Sequence, residues 1–312
     1  MVKNEFTYPS HDGKTPIHAV IWRPEGEVRA VLQISHGVAE YALRYEPFAA
    51  FLTEHGFAVA ANDHIGHGQS LAEGAPRLYF GPKGSWQTVV DDLYTLRCHC
   101  GKEFPGVPYA LLGHSMGSFL ARTSLIRYPG PVDGAVIMGT GQMTPAVIAG
   151  GKAFAAAEAR RLGEDQISPA VEKLSFGTYN KIFAPNRTGF DWLSLNMENV
   201  DRYLEDPLCG GSATIGLFRE MLGGLSLIAK PENLKKMNLN TPILFISGAM
   251  DMVGDCSKGV ERAAAAFQRA GMRDVTVKLY PELRHEVLKE DCREQVYDDI
   301  DRWLEGKLAG VR

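Results

Sequence analysis

The chain of 312 residues predicts an α/β protein: a mostly parallel eight-stranded sheet with helices on both faces and a helical insertion in its second half. Three observations predict it. Apolar runs of strand length alternate with helical periodicity over residues 1–140. The alternation stops between 141 and about 230, where no clear strand pattern occurs. It returns from 242 onward. Alternation of this kind buries a parallel sheet between two helical layers. The expected organisation is a core of residues 1–140 and 231–312, with a helical cap, or lid, over 141–230.

Each element has its own signal. Residues 5–8 and 17–22, separated by HDGKT, predict a β-hairpin. RAVLQIS (29–35) and FAVAAN (57–62) are short apolar runs, as buried strands are. Between them YEPFAAFLTEHG (45–56) has helical spacing and ends at a glycine. A helix is predicted over 85–103, a strand at YALLG (109–113), a helix over 116–128 stopped by Pro129, and a strand over 132–139. After the insertion come a strand at PILFISG (242–248), a helix near 257–270, a strand at VTVKLY (275–280) and a last helix near 290–306.

Composition narrows the function classes. Hydrophobic residues make up 45% and charged residues 22%, as in ordinary globular proteins. A net charge of −4 and a pI near 6.2 offer nothing to attract a nucleic acid. MVKNEFTYPSHDGK lacks a basic start followed by an apolar run, so no secretory signal is expected. No apolar run approaches the length of a membrane span. Five scattered cysteines (98, 100, 209, 256, 292) fit free thiols in a reducing cytoplasm. Cys98-His99-Cys100 lies in a helical pattern, where residues two apart point to different faces, so no metal site is expected there.

The chemistry begins at LLGHSMGSFLAR (111–122), which sets Ser115 between Gly113 and Gly117. With 33 glycines, G-x-S-x-G arises by chance in about one such chain in six, so its context decides. That context is a predicted strand running directly into a predicted helix. A serine on such a turn is held strained with its hydroxyl clear of the sheet, and side chains at the flanking glycines would collide with a neighbouring strand or helix. The N–H groups of the following helix favour a developing negative charge.

A serine hydroxyl needs a base, and the base needs an orienting carboxylate. In folds that carry a serine on this turn, the chain order is serine, acid, histidine. His285 is the one histidine after His114, and it follows the strand at 275–280. Asp251 and Asp255 both follow PILFISG. Asp251 is nearer the strand end and is preferred; Asp255 is the alternative and is better placed to cap the helix near 257. Oxyanion donors are expected at the N–H of Met116 and in the loop SHGVAE (35–40), at Val38.

ISHGVAEYALRYEPFAAFL (34–52), NDHIGHGQS (62–70), GHSMG (113–117), SGAMDMVGD (247–255) and PELRHEVLKE (281–290) occur in one order along the chain. Together they resemble α/β-hydrolases of the monoacylglycerol lipase and lysophospholipase-like group, the serine aminopeptidase S33 type. The resemblance implies a catalytic triad of Ser115, Asp251 and His285, an oxyanion hole from Val38 and Met116, a mobile cap over 141–230, and no cofactor. It implies a serine esterase acting on a lipid-like acyl ester. The chain departs from the pattern at Tyr41, where many relatives have a histidine, and at Ile65, where an arginine is common.

Several residues invite sharper readings than they support. His64-x-x-His67 has a metal-like spacing, but DHIGHG reads as a glycine-rich structural turn, and His114 reads as a packing or hydrogen-bonding neighbour of the turn. Glu40 and Arg44 could form an i,i+4 ion pair that holds the oxyanion loop; as an exposed pair it would contribute little stability. TIGLFREMLGGLSLI (214–228) is apolar and expected to pack on the core, with contact to an acyl chain or a lipid surface as the second reading. PAVIAGGKAFAAAEARRLG (145–163) is expected as an amphipathic lid helix. A proline iminopeptidase-like reading would need acidic cap residues such as Glu158, Glu164, Glu172, Glu198 or Glu205 to face the site. A non-catalytic binding protein has no need of the whole constellation.

Overall fold

The computed structural model describes residues 1–309. The strands are β1 (Val2–Pro9), β2 (Pro16–Arg23), β3 (Ala30–Ser35), β4 (Phe57–Asn62), β5 (Tyr109–His114), β6 (Gly134–Met138), β7 (Ile243–Gly248) and β8 (Val275–Tyr280). They form one sheet in the order β1-β2-β4-β3-β5-β6-β7-β8. β1 and β2 pair antiparallel, as do β2 and β4, and every later pairing is parallel. The hairpin is longer than its apolar signal at both ends, because β1 is an edge strand that carries polar, exposed side chains.

The helices are α1 (Glu46–Glu54), α2 (Ser85–Glu103), α3 (Met116–Arg127), α4 (Pro145–Leu162), α5 (Pro169–Ser175), α6 (Met197–Glu205), α7 (Ile215–Ile228), α8 (Pro231–Leu234), α9 (Lys258–Ala270) and α10 (Arg293–Leu308). α1 and α10 cover one face of the sheet through Phe48, Leu52, Ile300 and Leu304. α2, α3 and α9 cover the other through Trp86, Leu93, Leu120 and Phe267. β3, β4, β6 and β7 are buried along their whole length. That double burial is why they read as continuous apolar runs.

Five helices, α4 to α8, lie between β6 and β7. α7 places Leu217, Phe218, Leu222 and Leu225 in the same apolar cluster as α3, as its composition predicts. Gly224 lies so close to the Trp86 indole that an added Cβ would stand 2.2 Å from it. α4 begins at Thr144, whose side chain accepts from the Val147 N–H. The last helix starts at Arg293 rather than 290. Residues 287–289 form a 3₁₀ turn, and the Glu290 carboxylate is engaged by the insertion, as described below.

Candidate active site

Ser115 lies between β5 and α3 at φ 54°, ψ −122°, a conformation that strains a side chain-bearing residue. Its N–H donates to the Met138 carbonyl at 3.0 Å, tying the turn to β6. The two glycines are required by close approach. A Cβ at Gly113 would stand 2.4 Å from the Gly117 carbonyl oxygen, and one at Gly117 would stand 2.0 Å from that of Ser35. The start of α3 is thus pressed against the end of β3, which carries the loop 36–41. Gly37 meets the same limit: a Cβ there would be 3.1 Å from the Ser115 Cβ. Among the described residues, neither the Val38 nor the Met116 N–H donates to an acceptor.

His285 and Asp251 meet as the chain order predicts. The His285 Nδ1–H donates to Asp251 Oδ1 at 2.9 Å. Asp251 is fixed in turn: Oδ1 accepts from the Val253 N–H at 2.8 Å, and Oδ2 from the Ser247 hydroxyl at 3.1 Å. Both residues are buried. Burial alone would lower the His285 pKa, but the Asp251 carboxylate outweighs it and holds the imidazole above 6.5. The same contact, with the Val253 N–H, holds Asp251 below 3.8 against the opposing effect of burial. Asp255, the alternative acid, is exposed and paired with Arg262 at 3.0 Å.

Ser115 and His285 line one cavity of about 270 Å³, together with Gly37, Val38, Trp192 and Leu193. Among the described residues they share no hydrogen bond. The cavity wall comes from both the core and the insertion. The Trp192 ring lies 5.2 Å from the His285 ring. A second, small apolar pocket is lined by Ser115, Met116, Phe176, Tyr179 and Met221.

A buried polar network braces the loop 36–41. Glu40 Oε1 accepts from the Gly37 N–H at 2.6 Å, the Tyr45 hydroxyl at 2.8 Å and His114 Nδ1–H at 3.0 Å. The Arg44 guanidinium donates to Glu40 at 2.8 Å and to both oxygens of Glu286, beside His285. The Glu40–Arg44 pair holds this loop as expected, but it is buried rather than exposed, with side chains 3% and 9% exposed. The i,i+4 spacing suggests a surface pair; the third member, Glu286, comes from the other end of the chain. His114 is the hydrogen-bonding neighbour that the sequence suggests.

The insertion is clasped to the histidine loop. Glu290 accepts from the Ser194 hydroxyl at 2.8 Å and from the N–H groups of Leu195 and Asn196. The Glu286 N–H donates to the Leu193 carbonyl at 2.7 Å, and Asn199 donates to the Glu286 carboxylate at 2.7 Å. Sequence reasoning missed Trp192, Glu286 and Glu290 as neighbours of the site. The closeness of Glu286 and Glu290 to His285 was the available signal.

His36, His64 and His67 form a buried cluster, with the His36 and His64 rings 4.1 Å apart and tilted. Burial lowers all three pKa values, that of His67 to about 3, and so favours the neutral imidazoles. Among the described residues no group of three ligating side chains could hold a metal ion. Of the acidic insertion residues, Glu172 alone lines the cavity. Glu158 and Glu164 face Arg161 and Arg219, and Glu198 faces Arg202.

An eight-stranded sheet with this order, a serine at the β5–α3 turn and a histidine–aspartate pair after β8 and β7 define an α/β-hydrolase. The family described as serine aminopeptidase, S33, matches residues 26–292, and the chain belongs to it. It is 30% identical to the monoglyceride lipase of Homo sapiens, over 92% of this chain and 86% of that one. It is also 30% identical to the monoacylglycerol lipase of Mycolicibacterium smegmatis, over 92% of each. The structure of a thermostable carboxyl esterase from Bacillus coagulans superposes with a TM-score of 0.91 at 27% identity, covering 99% of both chains. Within the family, the protein is a serine ester hydrolase of the monoglyceride lipase type.

Proposed function

We propose that the protein hydrolyses monoacylglycerols through an acyl-enzyme. Ser115 Oγ attacks the ester carbonyl as His285 takes its proton, and Asp251 holds the imidazole tautomer and stabilises the imidazolium. The Val38 and Met116 N–H groups bind the oxyanion. His285 returns the proton to the leaving alcohol, and water then releases the fatty acid. The observation that carries this reading is the Asp251–His285 hydrogen bond on the wall of the cavity that Ser115 also lines.

In this reading residues 141–230 are a cap over the site, and the core is 1–140 with 231–312. The cap also touches the lipid surface from which substrate is drawn. Nine of the fourteen exposed large hydrophobic side chains of the described residues lie in it, among them Val147, Ile167, Leu174 and Met197. These residues lie outside α7, most of whose apolar residues are in the core. A cytoplasmic location is supported by five free cysteines.

The test is turnover of a monoacylglycerol series and of p-nitrophenyl esters beside proline p-nitroanilide, with Ser115→Ala as blank. Ester turnover and fluorophosphonate labelling, both lost in Ser115→Ala, are expected. Anilide cleavage without ester turnover would transfer the reading to a peptidase with Glu172 as amine acceptor. A folded protein that neither labels nor turns over would be a binding protein.

A further inference from the structure

A cavity of about 310 Å³ lies behind the active site, with Arg44 and Tyr203 as its shared wall. Its lining is basic: Arg44, Arg202, Lys289 and Arg293 face one carboxylate, Asp206. Arg44 is matched by Glu40 and Glu286; for the other three cations the lining supplies Asp206 alone. Lys289 Nζ donates to the Arg44 backbone carbonyl at 2.6 Å and lies 5.2 Å from the centre of the Tyr45 ring. It has no carboxylate partner among the described residues. Burial and the nearby Arg44 push its pKa down to about 8, against the opposing charges of Glu286 and Glu40. Arg293 likewise has no ion pair among the described residues, and Arg202 has only the exposed Glu198 at 3.7 Å. Asp206 is engaged by the Tyr41 hydroxyl at 2.7 Å and the Leu208 N–H.

We infer that this cavity is an oxyanion-binding site, separate from the catalytic cavity, that takes a phosphate or carboxylate group between Lys289, Arg202 and Arg293. Two guanidinium groups and one ammonium around a pocket of this size offer charge-assisted hydrogen bonds to several oxygens of one anion. A bound anion adds to the partial compensation that Glu286 and Glu40 give Lys289. It also contacts the residue, Arg44, that braces both the oxyanion loop and Glu286. The apolar part of the lining, from Leu43, Pro47 and Leu288, admits a short apolar portion on the ligand.

The experiment titrates inorganic phosphate into the full chain at constant ionic strength, with sodium chloride as reference, because exposed cations attract any anion weakly. Expected results are saturable binding and a rise in Tm beyond that of chloride. Both should be retained in Ser115→Ala, so the outcome is independent of the catalytic reading. Arg202→Ala with Arg293→Ala should weaken binding at least tenfold, and KM for a p-nitrophenyl ester should not change at saturating phosphate. Glycerol 3-phosphate and decanoate separate the sources. Tighter binding of the first assigns a phosphoester headgroup, tighter binding of the second a fatty carboxylate, and equal binding the bare oxyanion. A Tm response equal to that of chloride, undiminished binding in the double variant, or competition with the ester would overturn the site.

Discussion

The indole of Trp192 covers the imidazole of His285 at 5.2 Å, tilted by 39°, so the insertion supplies one face of the site's histidine. In the proposed mechanism an aromatic ring at that distance attracts the imidazolium formed as Ser115 loses its proton, by about 1 kcal/mol. Trp192→Ala should lower kcat/KM for a p-nitrophenyl ester by about fivefold, with Trp192→Phe close to wild type. Steady-state kinetics on the three proteins checks it; equal losses in both variants would assign the effect to indole size.

The pH profile follows from the His285 environment. Burial favours the neutral imidazole, but Asp251 outweighs it and raises the pKa above 6.5. The base must be neutral to act, so the acid limb of kcat/KM should have its inflection above pH 6.5. Asp251→Asn removes the stabilising charge and the tautomer control. The limb should then move to lower pH, and kcat should fall by about 10³- to 10⁴-fold. A pH–rate profile of both proteins tests the direction; an unmoved limb would separate it from His285.

Strain at Ser115 makes an opposite prediction for stability. A serine at φ 54°, ψ −122° costs about 1 to 3 kcal/mol relative to a permitted conformation, and glycine tolerates it. Ser115→Gly should abolish turnover while raising thermal stability. Calorimetry reads it, and a lower Tm would mean that lost packing outweighs the strain.

Removing Arg44 strands two buried carboxylates, Glu40 and Glu286. Arg44→Met should destabilise the protein by about 3 to 5 kcal/mol, as an exposed pair would not. Urea denaturation measures this, and a loss under 1 kcal/mol would restore the surface reading of the pair.

The strands, the serine turn and the Asp251–His285 pair were legible because each depends on local signals: an apolar run, a glycine pair, a residue just past a strand. Ser115 needs small neighbours wherever β5 meets α3, and that need is written at Gly113 and Gly117. The Glu40–Arg44 pair was legible, but its third member Glu286 and its burial were not, since Glu286 lies 242 residues from Arg44 and an i,i+4 pair looks the same on a surface as in a core. The Glu290 clasp joins a carboxylate to backbone N–H groups of a segment without periodicity, and backbone donors leave no trace in residue identity. The start of the last helix was misplaced for the same reason, because Glu290 serves the clasp instead of a first helical turn.

The clasp also couples the insertion to the loop that carries His285. Glu286 and Glu290 follow His285 in the chain, and both bond residues 193–199. A chain in which the segment 191–199 has not docked lacks these bonds and the Trp192 ring against His285. Turnover and docking of the insertion are therefore expected to be gained together.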